Sequence, residues 1–155
     1  MSSKEGSKPY KTILLAGLIA GVLDITAAVV TTILRGRPPM RMLQSIASGL
    51  LGLDSYNGGL KTAALGLVLH FMIATGWAAV FYAASRKLTF LVRQAIVSGL
   101  LYGIVVYCLM NLVVLPLSAF PHKITFPLSS LIIGVVVLMF CVGLPIALIV
   151  RRYSS

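Results

Sequence analysis

Four long apolar runs alternate with short polar connections along the chain, at residues 12–34, 62–84, 94–115 and 131–150. They hold 23, 23, 22 and 20 residues, and a bilayer core about 30 Å thick needs ~20 helical residues to cross it. Within hydrocarbon every backbone N–H and C=O must find its partner inside the segment, so each run predicts a transmembrane α-helix. A soluble bundle would need a polar outer face on each helix, and none of these runs has one. The pattern therefore predicts an all-α membrane protein, with four transmembrane helices bundled in a single integral membrane domain over residues 1–155. The first run exceeds a signal-peptide core of about 7–15 residues. It reads as a retained span that both targets and anchors the chain.

The connections differ in kind. The polar tail before residue 10 reads as mobile. After the first run, "GRPP" ends the helix. In "MRMLQSIASGLLG", Met40, Leu43, Ala47 and Leu50 recur at helical spacing, with Arg41, Gln44, Ser45 and Ser48 over much of the opposite side. This predicts a short amphipathic helix over about 39–51, lying on the interface or folding back over the mouth of the bundle. The second connection is short, which makes the second and third helices antiparallel neighbours. The third, "PLSAFPHKITFP", is too short and too broken for another crossing. Within the fourth run, "GLP" at residues 143–145 predicts a kink.

Two words recur. "GLIAG" in the first run resembles "GLLYG" in the third, and "LHFMIA" in the second resembles "LMFCVG" in the fourth. Their order suggests two tandem helical hairpins of the same orientation, related by an axis along the membrane normal. Each glycine word supplies a pair four residues apart, Gly17 with Gly21 and Gly99 with Gly103. Such small residues let helix backbones approach closely in a membrane.

Composition agrees with this picture. Hydrophobic residues make up 59% of the chain and charged residues 10%, against about 25% charged in a soluble domain. The formal net charge of +10 does not point to nucleic acid, because the basic residues flank the apolar runs as membrane anchors do. Lys4, Lys8, Lys11, Arg86, Lys87, Arg93, Arg151 and Arg152 lie on one side; Arg35, Arg37, Arg41, Lys61 and Lys123 lie on the other. The bias of eight to five favours cytoplasmic termini. Cys108 and Cys141 both fall in apolar runs without a CxxC or zinc-ligand spacing, and carry no expected chemistry.

Asp24 then stands out. A carboxylate at a helix centre costs about 2.5–3.5 kcal/mol on the insertion scale, so it must be neutral, paired or wet. The stripe Gly17, Gly21, Asp24, Ala28 aims it at another helix. At ~1.5 Å per residue, Asp24 lies about 15 Å, His70 about 12 Å and Asn111 about 6 Å below the same membrane boundary. Asp24 and His70 thus share a height on adjacent antiparallel helices, with Asn111 above them and Thr31, Thr75 and Tyr107 nearby in depth. The cluster reads either as an interhelical hydrogen bond or as a small polar cavity for a proton or solute. One histidine is a weak metal signal, a haem would need a second one, and no nucleotide-binding loop or catalytic constellation is present. Neither metal, cofactor nor enzymatic activity is expected.

Read together, "GLIAGVLD", "RMLQSIASGLLG", "LHFMIA" and "MNLVVLPLSAFP" resemble a family of four-helix bacterial inner-membrane proteins and, more distantly, YagU-like membrane proteins. The resemblance covers nearly the whole chain, implies a bacterial inner-membrane location and brings no activity with it. Small size, glycine-lined helices and the lack of an enzymatic motif favour an accessory, assembly or structural subunit. Its expected partners are the lipid bilayer and a larger membrane complex or further copies of itself. The alternative is a small solute or proton-coupled transporter or channel that uses the Asp24–His70 pair.

Overall fold

The computed structural model describes residues 8–154. Most of the polar tail, including Lys4, lies outside them. Four long apolar helices are present: α1 (Pro9–Leu34), α3 (Gly59–Lys87), α4 (Ala95–Leu117) and α5 (Leu128–Ser154). Between the first two lies α2 (Pro39–Leu51), followed by a 3₁₀ segment at Gly52–Asn57. A single helical turn, Phe90–Arg93, joins α3 to α4. α1, α3 and α5 overrun the apolar runs by several residues, since helical hydrogen bonding continues into the interface. Prolines open α1 and α2 at their first turns, where the missing N–H has no intrahelical partner to lose. Gly36 takes a left-handed conformation (φ 69°) that turns the chain from α1 towards α2.

The helices pack as two hairpins side by side. α1 lies along α3, α4 lies along α5, and α1 also packs along α5. The glycine words set both hairpin contacts. A Cβ on Gly17 would meet Thr75 Cα at 2.6 Å, and one on Gly21 would meet the Phe71 ring at 2.6 Å. A Cβ on Gly99 would meet Leu144 Cα at 2.8 Å, and one on Gly103 would run into Met139 and Leu138 backbone atoms. The repeated words therefore face one another within each hairpin: "GLIAG" against "LHFMIA", "GLLYG" against "LMFCVG".

The fourth seam, between α3 and α4, is open for most of its length. It closes near the face that carries both termini. There the Tyr102 hydroxyl donates to the Trp77 carbonyl at 2.7 Å, and its ring stacks edge-on against Trp77 and Phe81. The buried core sits in this same half, built from Ala16, Ala20, Ala78, Phe81, Ile146 and Val150 among others. The half nearer α2 is hollow by comparison.

α2 caps the hollow half, and its faces are disposed differently from the expectation. Met40 and Leu50 are exposed, whereas Gln44, Ala47 and Ser48 are buried. The expected stripe Met40, Leu43, Ala47, Leu50 is split: Ala47 is buried together with Gln44 and Ser48, while Met40 and Leu50 are not. Here the apolar residues Met40 and Leu50 are turned away, and the small and polar side docks on α3. Gly66 makes this contact possible, because any side chain there would strike the Leu43 carbonyl. Gln44 Nε2 donates to the Gly59 carbonyl at 3.2 Å.

Both C-terminal spans contain a π-helical turn, at Met110–Val114 in α4 and Leu138–Gly143 in α5. Each lies just before a proline, Pro116 and Pro145. Proline supplies no N–H to the carbonyl four residues back, and the preceding backbone shifts to the wider bond pattern. The break expected at residues 143–145 is thus taken up one turn earlier. Both wide turns border the hollow half.

Candidate functional site

His70, on α3, reaches α1 through its imidazole. Its Nε2 lies 2.9 Å from the Gly21 carbonyl oxygen. A carbonyl can only accept, so Nε2 carries the proton and Nδ1 is the free nitrogen. That nitrogen faces Asp24 Oδ2 at 3.9 Å. The distance is within ion-pair range and beyond a direct hydrogen bond. Both side chains are largely enclosed, His70 12% and Asp24 21% exposed. Gly21 matters twice here. Its missing Cβ admits the Phe71 ring, and its carbonyl fixes the histidine tautomer.

The pair offers two places for a proton. With one proton to share, it is either a neutral acid beside a neutral imidazole or a carboxylate beside an imidazolium. Neither state leaves a lone charge in hydrocarbon. Loss of that proton would leave an unpaired carboxylate, which requires water or a cation nearby.

Asp24 borders two cavities. The first, of about 240 Å³, lies at the centre of the bundle beneath α2 and is lined by Asp24, His70, Trp77, Met110 and Asn111 among others, with Ile46 of α2 above. The second, of about 260 Å³, runs between α1, α4 and α5 and is lined by Asp24, Thr31, Arg35, Tyr107, Asn111 and Ser130 among others. Arg35 and Ser130 stand at the helix ends on the α2 side, so this cavity gives the carboxylate a polar route towards that face. Asn111 borders both cavities with Asp24, yet its amide Nδ2 donates to the Tyr107 carbonyl of its own helix at 2.9 Å.

The structure therefore places Asp24, His70 and Asn111 around one cavity. Gly17, Gly21, Gly99 and Gly103 line no cavity described here; they sit at hairpin contacts. Of the residues expected near Asp24 in depth, Thr31 and Tyr107 line its second cavity, and Thr75 packs against Gly17. Arg35 and Ser130 were not singled out from the sequence. Both fall at helix ends, where a basic or hydroxyl residue reads as an interface anchor. Comparison with known protein families, curated proteins and solved structures finds no match to this chain. What the fold supports of the resemblance noted in the sequence is the four-helix membrane architecture.

Proposed function

We propose that the protein is a small proton-coupled transporter or channel in which Asp24 and His70 carry the proton. The observation behind this reading is a carboxylate paired with a tautomer-fixed histidine and bordering two cavities inside the membrane span. Intramembrane ionisable residues mark substrate and ion pathways or proton relays. The solid core on the termini side and the cavity that runs from Asp24 to Arg35 and Ser130 fit a conformation open at the α2 face beside the α2 cap and shut on the other side.

The accessory-subunit reading draws less support. Its main structural argument was glycine-lined faces available for assembly, and all four of those glycines are occupied within the chain. In the transport reading no covalent chemistry is required of the protein. The charge bias supports cytoplasmic termini and the resemblance supports a bacterial inner membrane; on that reading the α2 face looks outward.

The experiment is proton flux into liposomes holding the purified chain, followed with an internal pH-sensitive dye across a panel of small solutes. Wild-type protein should move protons with at least one solute or under an imposed potential. Asp24→Asn and His70→Gln should each abolish that flux while the protein remains monodisperse. Absence of wild-type flux across the panel and under potential would overturn the reading.

A further inference from the structure

Beyond Asp24 and its two cavities, the α2 face holds a further pocket, larger than either. It measures about 500 Å³ and is lined by Arg37, Arg41, Tyr56 and His122, with Thr32, Ser45 and Phe120 among the rest. His122 Nε2 and the Tyr56 hydroxyl lie 3.0 Å apart. The Arg41 guanidinium stands 5.5 Å over the Tyr56 ring, and the Phe120 and His122 rings meet edge-on at 5.5 Å. Among the described residues none of this lining is acidic, and neither Arg37 nor Arg41 joins a salt bridge. Two guanidinium forks without carboxylate partners match the oxygens of a phosphate.

A groove of quite different character borders this pocket. Ser45 and Phe120 line both. The groove, about 440 Å³, follows the open seam between α3 and α4 beneath α2 and is lined by Ile46, Leu50, Leu69, Ile73, Met110 and Val114 among others. It opens sideways into the bilayer zone, where its walls are apolar. Water gains nothing there, and the surroundings supply acyl chains. Its position follows from the unequal seams: α1 and α5 close against each other, and α3 and α4 do not.

We infer that the pocket and groove together bind one membrane lipid with an anionic phosphate headgroup, the phosphate on Arg37 and Arg41 and an acyl chain in the α3–α4 seam. Charge complementarity selects the headgroup, and continuity through Ser45 and Phe120 selects a ligand with a tail over a free anion. The inference does not rest on the transport reading, because binding is measured without flux.

The test is native mass spectrometry of the full detergent-solubilised chain titrated with phosphatidylglycerol, or with phosphatidylcholine of the same chains, in the presence or absence of inorganic phosphate. Phosphatidylglycerol should be retained roughly tenfold better than phosphatidylcholine, the scale expected of one or two charge-assisted contacts. The exposed-site double variant Arg37→Gln/Arg41→Gln should erase that preference, and Leu69→Trp in the groove should weaken both lipids together. His122→Gln provides a second headgroup variant should the double arginine variant not fold. Equal retention of the two lipids, or an unchanged preference in the arginine and histidine variants, would overturn the proposal. Equally effective competition by inorganic phosphate would also overturn it, since that outcome describes a free-anion pocket alone.

Discussion

The two hairpins of this bundle solve the same packing problem with different side chains. In α1–α3, Gly17 sits on Thr75 and Gly21 on Phe71 and Ala74; in α4–α5, Gly99 sits on Leu144 and Gly103 on Met139. Thr75 and Leu144 each directly follow their repeated word, while Gly21 meets the third residue of its facing word and Gly103 the second. Three residues after the second glycine stands Asp24 in one hairpin and Val106 in the other. At the second position of the facing word stands His70 in one and Met139 in the other. The second hairpin thus packs just as closely with apolar residues at the positions where the first has an ionisable pair. Close packing alone does not demand the Asp24–His70 pair.

The comparison can be broken first at the glycines. Gly143→Val places a side chain against the Gly99 carbonyl and the Gly103 backbone, where neither neighbour can rotate away. A loss above ~3 kcal/mol is expected, beyond the usual range for overpacking, seen as failure to recover monodisperse protein. Gly21→Val meets a Phe71 ring that can turn aside, and its loss should be visibly smaller in a thermal melt. Equal losses would mean that the Phe71 ring is held as firmly as the Gly99 and Gly103 backbone.

A second, smaller effect comes from giving the apolar hairpin a charge. Val106 is 2% exposed and borders the central cavity. Val106→Asp should destabilise by about 2.5–3.5 kcal/mol, the insertion penalty of an aspartate without a histidine opposite. A melt unchanged from wild type would show that the cavity solvates any carboxylate. Tyr102→Phe, which removes the hydroxyl closing the α3–α4 seam, should cost about 1 kcal/mol and raise passive leak through liposomes. Gln44→Leu should be the mildest, about 0.5 kcal/mol by melt, because the hydrogen bond it removes is a long one, 3.2 Å to the Gly59 carbonyl.

Much of this was legible in the chain. The four spans follow from bilayer thickness, and α2 from its periodicity. The shared height of Asp24 and His70 follows from counting residues at a fixed rise. What periodicity cannot supply is the choice of face. It separates Met40 and Leu50 from Gln44 and Ser48, but in a membrane either side can meet protein. Backbone acceptors are equally invisible in a sequence, so the Gly21 carbonyl was not foreseen as the main partner of His70, nor the Tyr107 carbonyl as that of Asn111. The pocket around Arg37, Arg41 and His122 escaped for another reason. Its members lie some eighty residues apart, and each alone reads as an interface anchor. Their common placement on connections of one membrane face was the available signal.

The central claim is that Asp24 and His70 serve proton movement and not cohesion. It is tested most directly by rebuilding the first hairpin in the image of the second, as Asp24→Val/His70→Met, and measuring melting and proton flux on the same preparation. Replacing a buried ionic pair by packed apolar side chains is often neutral or stabilising. The account predicts a melting temperature at or above that of wild type, together with flux reduced to the level of empty liposomes. A variant that loses its fold, or one that keeps its flux, would contradict it.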